Sequence, residues 1–411
     1  MSDALRYARS AFDWVGSVAV DVDGGQGWLE DADRFDELYS GTAGVLLGCA
    51  EAMASGLDTT TVAAGAVARL RYLATHGASV DTMPDDGLFS GWAGVAVALR
   101  AWSAVASDAA ADDAAALVIA GIAERVLQEP EDPARYTDII SGDAGTLIAL
   151  SSDDSDAAIA AGNVLADRLV RMAEPGPDGP QWRMTVDWGY LMPGFSHGTA
   201  GVCYSLAAAG RALDRPDLVA VAVRGADTLL ALGHTPEGWA LPLTIPPRPY
   251  GPAVNFGWCH GPAGTVRLFA ALDAIDPQPR WRHAIEAGVQ AMIHSGLPAR
   301  LYPGFWDNVA RCCGTAGVGQ LLLDRYQATG DADLLDFADV LAADVIGRAV
   351  DTPRGVTWSN TEHTRTPSEL PPQPGLMQGA VGIAGWLARL HAVHADPGTR
   401  SVPMGVEPAW M

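Results

Sequence analysis

Gly314-Thr315-Ala316-Gly317-Val318-Gly319-Gln320-Leu321-Leu322-Leu323 opens on two glycines three residues apart and then runs into aliphatic sequence. The same opening stands at Gly41-Thr42-Ala43-Gly44, Gly91-Trp92-Ala93-Gly94, Gly142-Asp143-Ala144-Gly145 and Gly198-Thr199-Ala200-Gly201. It returns at Gly261-Pro262-Ala263-Gly264 and at Gly379-Ala380-Val381-Gly382, the last followed by Gly385. In chain order the starts lie 50, 51, 56, 63, 53 and 65 residues apart. One such motif is ordinary helix packing. Seven at these intervals mark a repeat, and so long a period in an Ala- and Leu-rich chain suits one helical pair per unit.

Each motif predicts a helix start, as in Gly94-Val95-Ala96-Val97-Ala98-Leu99. Small residues there let backbones pack closely, and glycine also tolerates a left-handed entry. Second helices are predicted between motifs, for example over 60–74 and 112–127. The segments 173–184, 243–255 and 350–374 are rich in Pro, Gly and polar residues and read as loops. Seven helical hairpins can stack as an open solenoid or close on themselves. Solenoids carry polar caps at their ends, whereas the seventh motif is as apolar as the central ones. The expectation is therefore an all-α fold, a closed α/α toroid (double barrel) of about fourteen helices. It would be a single domain over 1–411 with every glycine motif at one rim.

With 49% hydrophobic and 18% charged residues, the composition is globular rather than disordered. The 26 Lys plus Arg against 49 Asp plus Glu give a net charge of −23. Such a field repels nucleic-acid phosphates and anionic membranes, so neither is expected as a partner. Basic positions such as Arg248, Arg267 and Arg311 could still line a pocket. No uninterrupted apolar stretch reaches the roughly 20 residues a bilayer span needs. The start, Met1-Ser2-Asp3, has no basic region leading into a hydrophobic one. A cytoplasmic location is the expectation.

Five cysteines are too few for a disulfide-stapled scaffold. Cys49 and Cys203 lie in apolar helical sequence and read as small buried hydrophobes. The other three stand beside glycine motifs, in Trp258-Cys259-His260-Gly261 and Cys312-Cys313-Gly314. Zinc takes tetrahedral thiolate and imidazole ligands, and a catalytic site leaves its fourth position open. Equivalent places in adjacent repeats meet at the rim of a toroid, so the three sulfurs could hold one zinc ion. Two other readings stand beside this one. The cysteines could simply be buried, or His260 could close the shell as the fourth ligand of a structural zinc.

Ser196-His197-Gly198 places a histidine in the corresponding rim position. Imidazole changes charge near neutral pH and suits proton transfer. Asp138, four residues before Gly142, reaches a comparable place in the third unit and could orient His197. The plainer reading makes Asp138 a helix cap, a duty for which Ser141 is better placed.

These residues resemble the lanthionine synthetase cyclase family, the LanC-like proteins, over most of the chain from Gly41 to Gly385. The specific pieces are Phe195-Ser196-His197-Gly198, Trp258-Cys259-His260-Gly261 and Cys312-Cys313-Gly314. The resemblance implies a double ring of seven inner and seven outer helices with zinc at one end. It also implies addition of cysteine thiols to dehydroalanine or dehydrobutyrine in a precursor peptide, giving lanthionine or methyllanthionine rings. Cys259 and Cys312 match zinc-ligand cysteines. Cys313 falls where many members carry histidine, as in the three-cysteine subgroup. His197 matches the proposed acid or base, and Asp138 in Tyr136-Thr137-Asp138-Ile139-Ile140 matches its acidic partner. A family arginine four residues before the Trp-Cys cysteine is replaced by Asn255, leaving Arg311 or Arg248 as substitutes for enolate stabilisation. Asn255, His260 and Arg311 are thus candidate substrate contacts.

The repeats begin about 40 residues from the start, leaving no room for a preceding dehydratase or kinase. Dehydration would then fall to a separate dehydratase or kinase/lyase. Competing readings are a thiol-addition enzyme using glutathione, a zinc toroid alkylating thiols with prenyl groups, and a non-catalytic zinc-stabilised scaffold that binds a peptide or kinase.

Overall fold

The computed structural model describes residues 2–30, 33–78, 83, 85–129, 134–233, 238–248, 254–299, 306–361 and 368–399. The first elements are α1 (Ser2–Ser17), β1 (Val20–Val22), β2 (Gly25–Glu30), β3 (Asp33–Phe35), α2 (Thr42–Ala54), α3 (Thr60–His76), α4 (Trp92–Ala106) and α5 (Ala109–Gln128). Next come α6 (Asp143–Leu150), α7 (Asp156–Arg171), β4 (Glu174–Pro175), β5 (Pro180–Gln181), α8 (Thr199–Ala212) and α9 (Pro216–Leu232). The remainder are α10 (Pro262–Ile275), α11 (Pro279–His294), α12 (Thr315–Thr329), α13 (Ala332–Gly347), β6 (Val350–Thr352), β7 (Gly355–Thr357) and α14 (Ala380–Ala395). All seven glycine motifs open helices: α2, α4, α6, α8, α10, α12 and α14.

The glycines act by close approach, not by a left-handed entry. The N-cap glycines are extended, with φ of −94° at Gly41, −106° at Gly142, −108° at Gly261 and −130° at Gly314. A Cβ on Gly41, Gly261 or Gly314 would sit 2.3–2.4 Å from the carbonyl oxygen six residues earlier, and on Gly198 only 1.3 Å from Met192. The second glycine repeats the constraint in five of the motifs, with 2.0 Å to Phe195 at Gly201 and 2.0 Å to Trp258 at Gly264. The descending loop thus lies against the helix N-terminus and supplies acceptors to its orphan N–H groups. Ala43, Asp143, Thr199, Thr315 and Ala380 each donate to the carbonyl seven residues back, at 2.8–3.3 Å. No side chain caps these helices.

The chain divides into two compact units. One gathers the described residues of 1–84, 94–117 and 296–403, the other those of 85–93 and 118–295. In the second unit α6, α8 and α10 pair with α7, α9 and α11, and α8 also packs on α6 and α10. Residues 199–210 of α8 are all buried. Its partner α9 buries Leu218, Val221, Ala222, Gly225, Ala226 and Leu229, a single stripe. Motif helices are therefore enclosed on all sides, and their partners show one face to water.

The first unit repeats this layering with α2, α12 and α14 inside and α13 outside. Its additional helix is α1, which the motif count does not anticipate. It buries Ala4, Ala8, Ala11, Phe12 and Val15 and packs along α14. The beginning and end of the repeat array are joined by this contact, which supplies α14 with its outer partner.

Two segments read as loops contain small antiparallel hairpins, Glu174↔Gln181 and Val350↔Thr357, and β1–β2–β3 form a third sheet. Two or three paired residues are too few for an alternating pattern to emerge from sequence. Among the described residues no helix is long and apolar enough to cross a membrane.

Candidate functional site

Residues two or three places before the motif glycines link neighbouring repeats within each unit through the backbone. In the second unit Phe89 N–H donates to Ile140, Ile139 N–H to Ser196, and Ser196 N–H to Cys259, at 2.9, 3.2 and 2.9 Å. In the first, Cys312 N–H donates to Met377 and Met377 N–H to Tyr39, at 2.8 and 2.9 Å. Side chains one or two places before the glycines are therefore held by rigid, mutually hydrogen-bonded backbone. This precision comes from the repeat, whatever side chain occupies the place.

In the second unit the structure brings His197 and Asp138 together. His197 Nδ1 lies 2.6 Å from Asp138 Oδ2, with Asp138 1% exposed and His197 32%. The other carboxylate oxygen, Oδ1, accepts the Ser141 N–H at 2.9 Å. Asp138 therefore anchors the turn into α6 and contacts the histidine at once. Ser141 does not cap α6; its hydroxyl donates to Ser90 Oγ at 2.9 Å. Ser90 in turn donates to the Asp85 carboxylate at 2.7 Å. Burial raises the Asp85 pKa, and the Asp138 charge adds to the rise.

His260 stands beside this pair, its ring centroid 6.1 Å from that of His197. Trp258 is 1% exposed and meets Phe89 and Phe195 edge-on, at 5.2 and 5.6 Å between centroids. Asn255 Oδ1 accepts the Gly257 N–H at 2.6 Å. Asp85 and Asn308, six places before their own motif glycines, accept from Gly87 and Ala310 in the same way, at 2.8 and 2.7 Å. The oxygen of Asn255 thus has a turn-forming duty. Arg248 lies over the Tyr190 ring at 5.0 Å.

In the first unit Cys312 and Cys313 hold their sulfurs 3.3 Å apart. Gln378 and Tyr39 stand next to them. Burial, and after it the two cysteines, push the Tyr39 phenol well above its usual range, so its proton is retained. Arg311 is 1% exposed and makes a two-pronged pair with Glu51 of α2, at 2.9 and 2.7 Å. Removing one partner of such a pair costs about 3–5 kcal/mol, which marks Arg311 as a support of the fold. Arg267 is likewise buried, on α10.

The ligand atoms of Cys259, Cys312 and Cys313 lie within 4.8 Å of one another. Among the described residues this set contains the three sulfurs and no histidine, so His260 does not complete it. None of the five cysteines is in a disulfide. Cys49 and Cys203 are fully buried, and burial raises both thiols, Cys49 to about 12. Tyr39 and Gln378 escaped the sequence reading, although their offsets were a usable signal: Tyr39 is two places before Gly41, and Gln378 one before Gly379.

A family model for lanthionine synthetase C-like proteins matches residues 34–397. Among solved structures, nisin cyclase is similar, with a TM-score of 0.65 and 14% identity over 86% of this chain and 88% of that one. A GH76A alpha-1,6-mannanase from Salegentibacter sp. gives a TM-score of 0.52 and 10% identity over 95% and 99% of the two chains. An unsaturated glucuronyl hydrolase from Bacillus sp. gives 0.53 and 15% over 99% and 98%. At these identities the likeness is one of fold. A search of curated protein sequences gives no match. The helix pairs and the likeness to nisin cyclase establish the all-α, α/α-toroid class expected from the seven motifs, with fourteen helices among the described residues. By the extent of the family match, the chain belongs to the lanthionine synthetase C-like family.

Proposed function

We propose that this protein is a zinc-dependent lanthipeptide cyclase, joining cysteine thiols of a dehydrated precursor peptide to dehydroalanine or dehydrobutyrine. The observation that carries this reading is the approach of the Cys259, Cys312 and Cys313 sulfurs to within 4.8 Å of one another. Tetrahedral zinc with Zn–S bonds of about 2.3 Å separates its sulfurs by about 3.8 Å. The 3.3 Å spacing of Cys312 and Cys313 needs only a small adjustment to fit. Three soft donors favour zinc over magnesium or calcium. Bound there, zinc would keep an incoming cysteine sulfur deprotonated and nucleophilic at neutral pH.

The addition forms a C–S bond at the β-carbon, and the alkene pair moves onto the neighbouring carbonyl as an enolate. The α-carbon then takes a proton, with no net oxidation or reduction. His197 would deliver that proton. Asp138, accepting from Nδ1, leaves Nε2 as the nitrogen that exchanges it and holds the ring in orientation. Holding sulfur and alkene together replaces a loose encounter within a flexible peptide. A separate dehydratase or kinase/lyase would supply the dehydro residues, in the cytoplasm. The reading takes 1–411 as one domain, supported by a family match that draws on segments of both units.

The test incubates the zinc-loaded protein with a dehydrated, cysteine-containing peptide, with and without glutathione, and then alkylates remaining thiols for mass spectrometry. The expected result is loss of alkylatable thiol at constant peptide mass. Glutathione adducts in place of rings would transfer the activity to intermolecular addition. A zinc-loaded protein inert on every such peptide would leave only a scaffold. Cys259→Ala, Cys312→Ala and Cys313→Ala should each lower zinc content and abolish ring closure. Full zinc in any of them removes that residue from the ligand set.

A further inference from the structure

Gln378 Nε2 lies 3.1 Å from the Tyr39 hydroxyl and 3.6 Å from Cys313 Sγ. The amide is not free to turn over. Asn308 Oδ1 accepts the Ala310 N–H at 2.7 Å, which only an oxygen can do. Asn308 Nδ2 is then the donor to Gln378 Oε1, at 2.9 Å. The oxygen of Gln378 is thereby taken, and its NH2 group is the end presented to Tyr39 and Cys313. The Gln378 backbone is fixed as well. Asn360 Nδ2 donates to its carbonyl at 3.0 Å, while Asn360 Oδ1 accepts the Val309 N–H at 3.1 Å. Tyr39, accepting from Gln378, has its own O–H to give, and the sulfur pair of Cys312 and Cys313 begins one amide nitrogen away from it.

We propose that Gln378 and Tyr39 are positioning residues that place one neutral donor on each sulfur of the adjacent pair, Gln378 on Cys313 and Tyr39 on Cys312. The inference rests on the zinc reading above. Three resident thiolates bring three negative charges to a doubly charged ion, and a substrate thiolate adds a fourth. Donors in the surrounding shell draw charge from the resident sulfurs and fix their direction. Such damping matters for this substrate class, because a dehydro residue is an electrophile that could alkylate the protein's own cysteines. A resident sulfur held by a donor is the weaker nucleophile. The incoming sulfur is then the one that reacts.

The test compares zinc-loaded wild type with Gln378→Leu, Gln378→Glu and Tyr39→Phe, after circular dichroism has shown each to be folded. Zinc affinity is measured by chelator competition. The rate at each cysteine is measured by iodoacetamide alkylation and peptide mapping. Gln378→Leu should weaken zinc binding about 10-fold and speed alkylation of Cys313 severalfold. Gln378→Glu keeps the shape and the Asn308 contact but not the donor, and should do at least as much. Tyr39→Phe deletes one oxygen, and Cys312 should be the sulfur whose rate rises; this variant carries the test if the Gln378 variants do not fold. Alkylation rates at Cys312 and Cys313 that match wild type in the folded variants would overturn the proposal, even with weakened zinc, since the two residues would then be only structural. A wild-type protein that binds no zinc strikes the zinc reading itself.

Discussion

Ser141 and His197 occupy the same place in consecutive repeats, one residue before the motif glycine, yet they are chemically unlike. Ser141 joins Ser90 and Asp85 in a hydrogen-bonded chain, and His197 meets a buried carboxylate. The same place holds Ser40 and Ser90 in the first two repeats, then His260, Cys313 and Gln378 in the last three. Backbone and glycine packing recur from repeat to repeat, while side chains able to bind metal or move protons gather in the fourth, fifth and sixth. The repeat supplies rigidity, and the side chain set at this one place is what changes from repeat to repeat.

The largest expected effect comes from breaking the shared part. Gly198→Ala drives a Cβ to 1.3 Å from the Met192 carbonyl oxygen. It should cost about 4 kcal/mol or more, the exceptional class of single substitutions, or prevent folding. Gly189→Ala, which meets nothing within 4 Å, should leave the denaturation midpoint within error of wild type. Equal midpoints for the two variants would remove the close-approach account of the motif.

A smaller effect comes from making the fourth repeat like the third. Under the proposed cyclase function, His197→Ser should bind zinc as wild type does and fold normally but form rings about 10²- to 10⁴-fold more slowly, the usual range for a general acid. Unchanged single-turnover ring closure would show that the His197–Asp138 pair is structural.

The smallest separates rim cysteines from core ones. Burial raises Cys49 to about 12, above the ordinary thiol value of 9.0, so the native state holds that proton more tightly than the unfolded chain. The stability this gives is complete below pH 9 and is lost as pH rises toward 12. Urea titrations from pH 8 upward should show falling stability, with a shallower fall in Cys49→Val. Identical slopes would mean that Cys49 ionises without penalty.

The glycine spacing made the helix starts legible, because each motif places steric demands that no other residue meets. It was equally informative about Cys259, Cys312, Cys313, His197 and Asp138, whose side chains are chemically conspicuous. Gln378 and Tyr39 were not visible in this way: a glutamine and a tyrosine announce nothing until a sulfur is found beside them. The duty of Arg311 was hidden for another reason. Its partner Glu51 lies 260 positions away in sequence, and no local pattern ties them. Helix α1 carries no glycine motif, so the periodicity that identified the others passes over it.

The pairing of α1 with α14 has a consequence for how the protein is made. More than 360 residues separate the two, and at about 5–20 residues per second a ribosome needs about 20–70 s to span that gap. Throughout that interval the stripe of Ala4, Ala8, Ala11, Phe12 and Val15 has no α14 to cover it. Chaperone occupancy of nascent chains should therefore begin soon after α1 emerges and end only after α14 has cleared the exit tunnel.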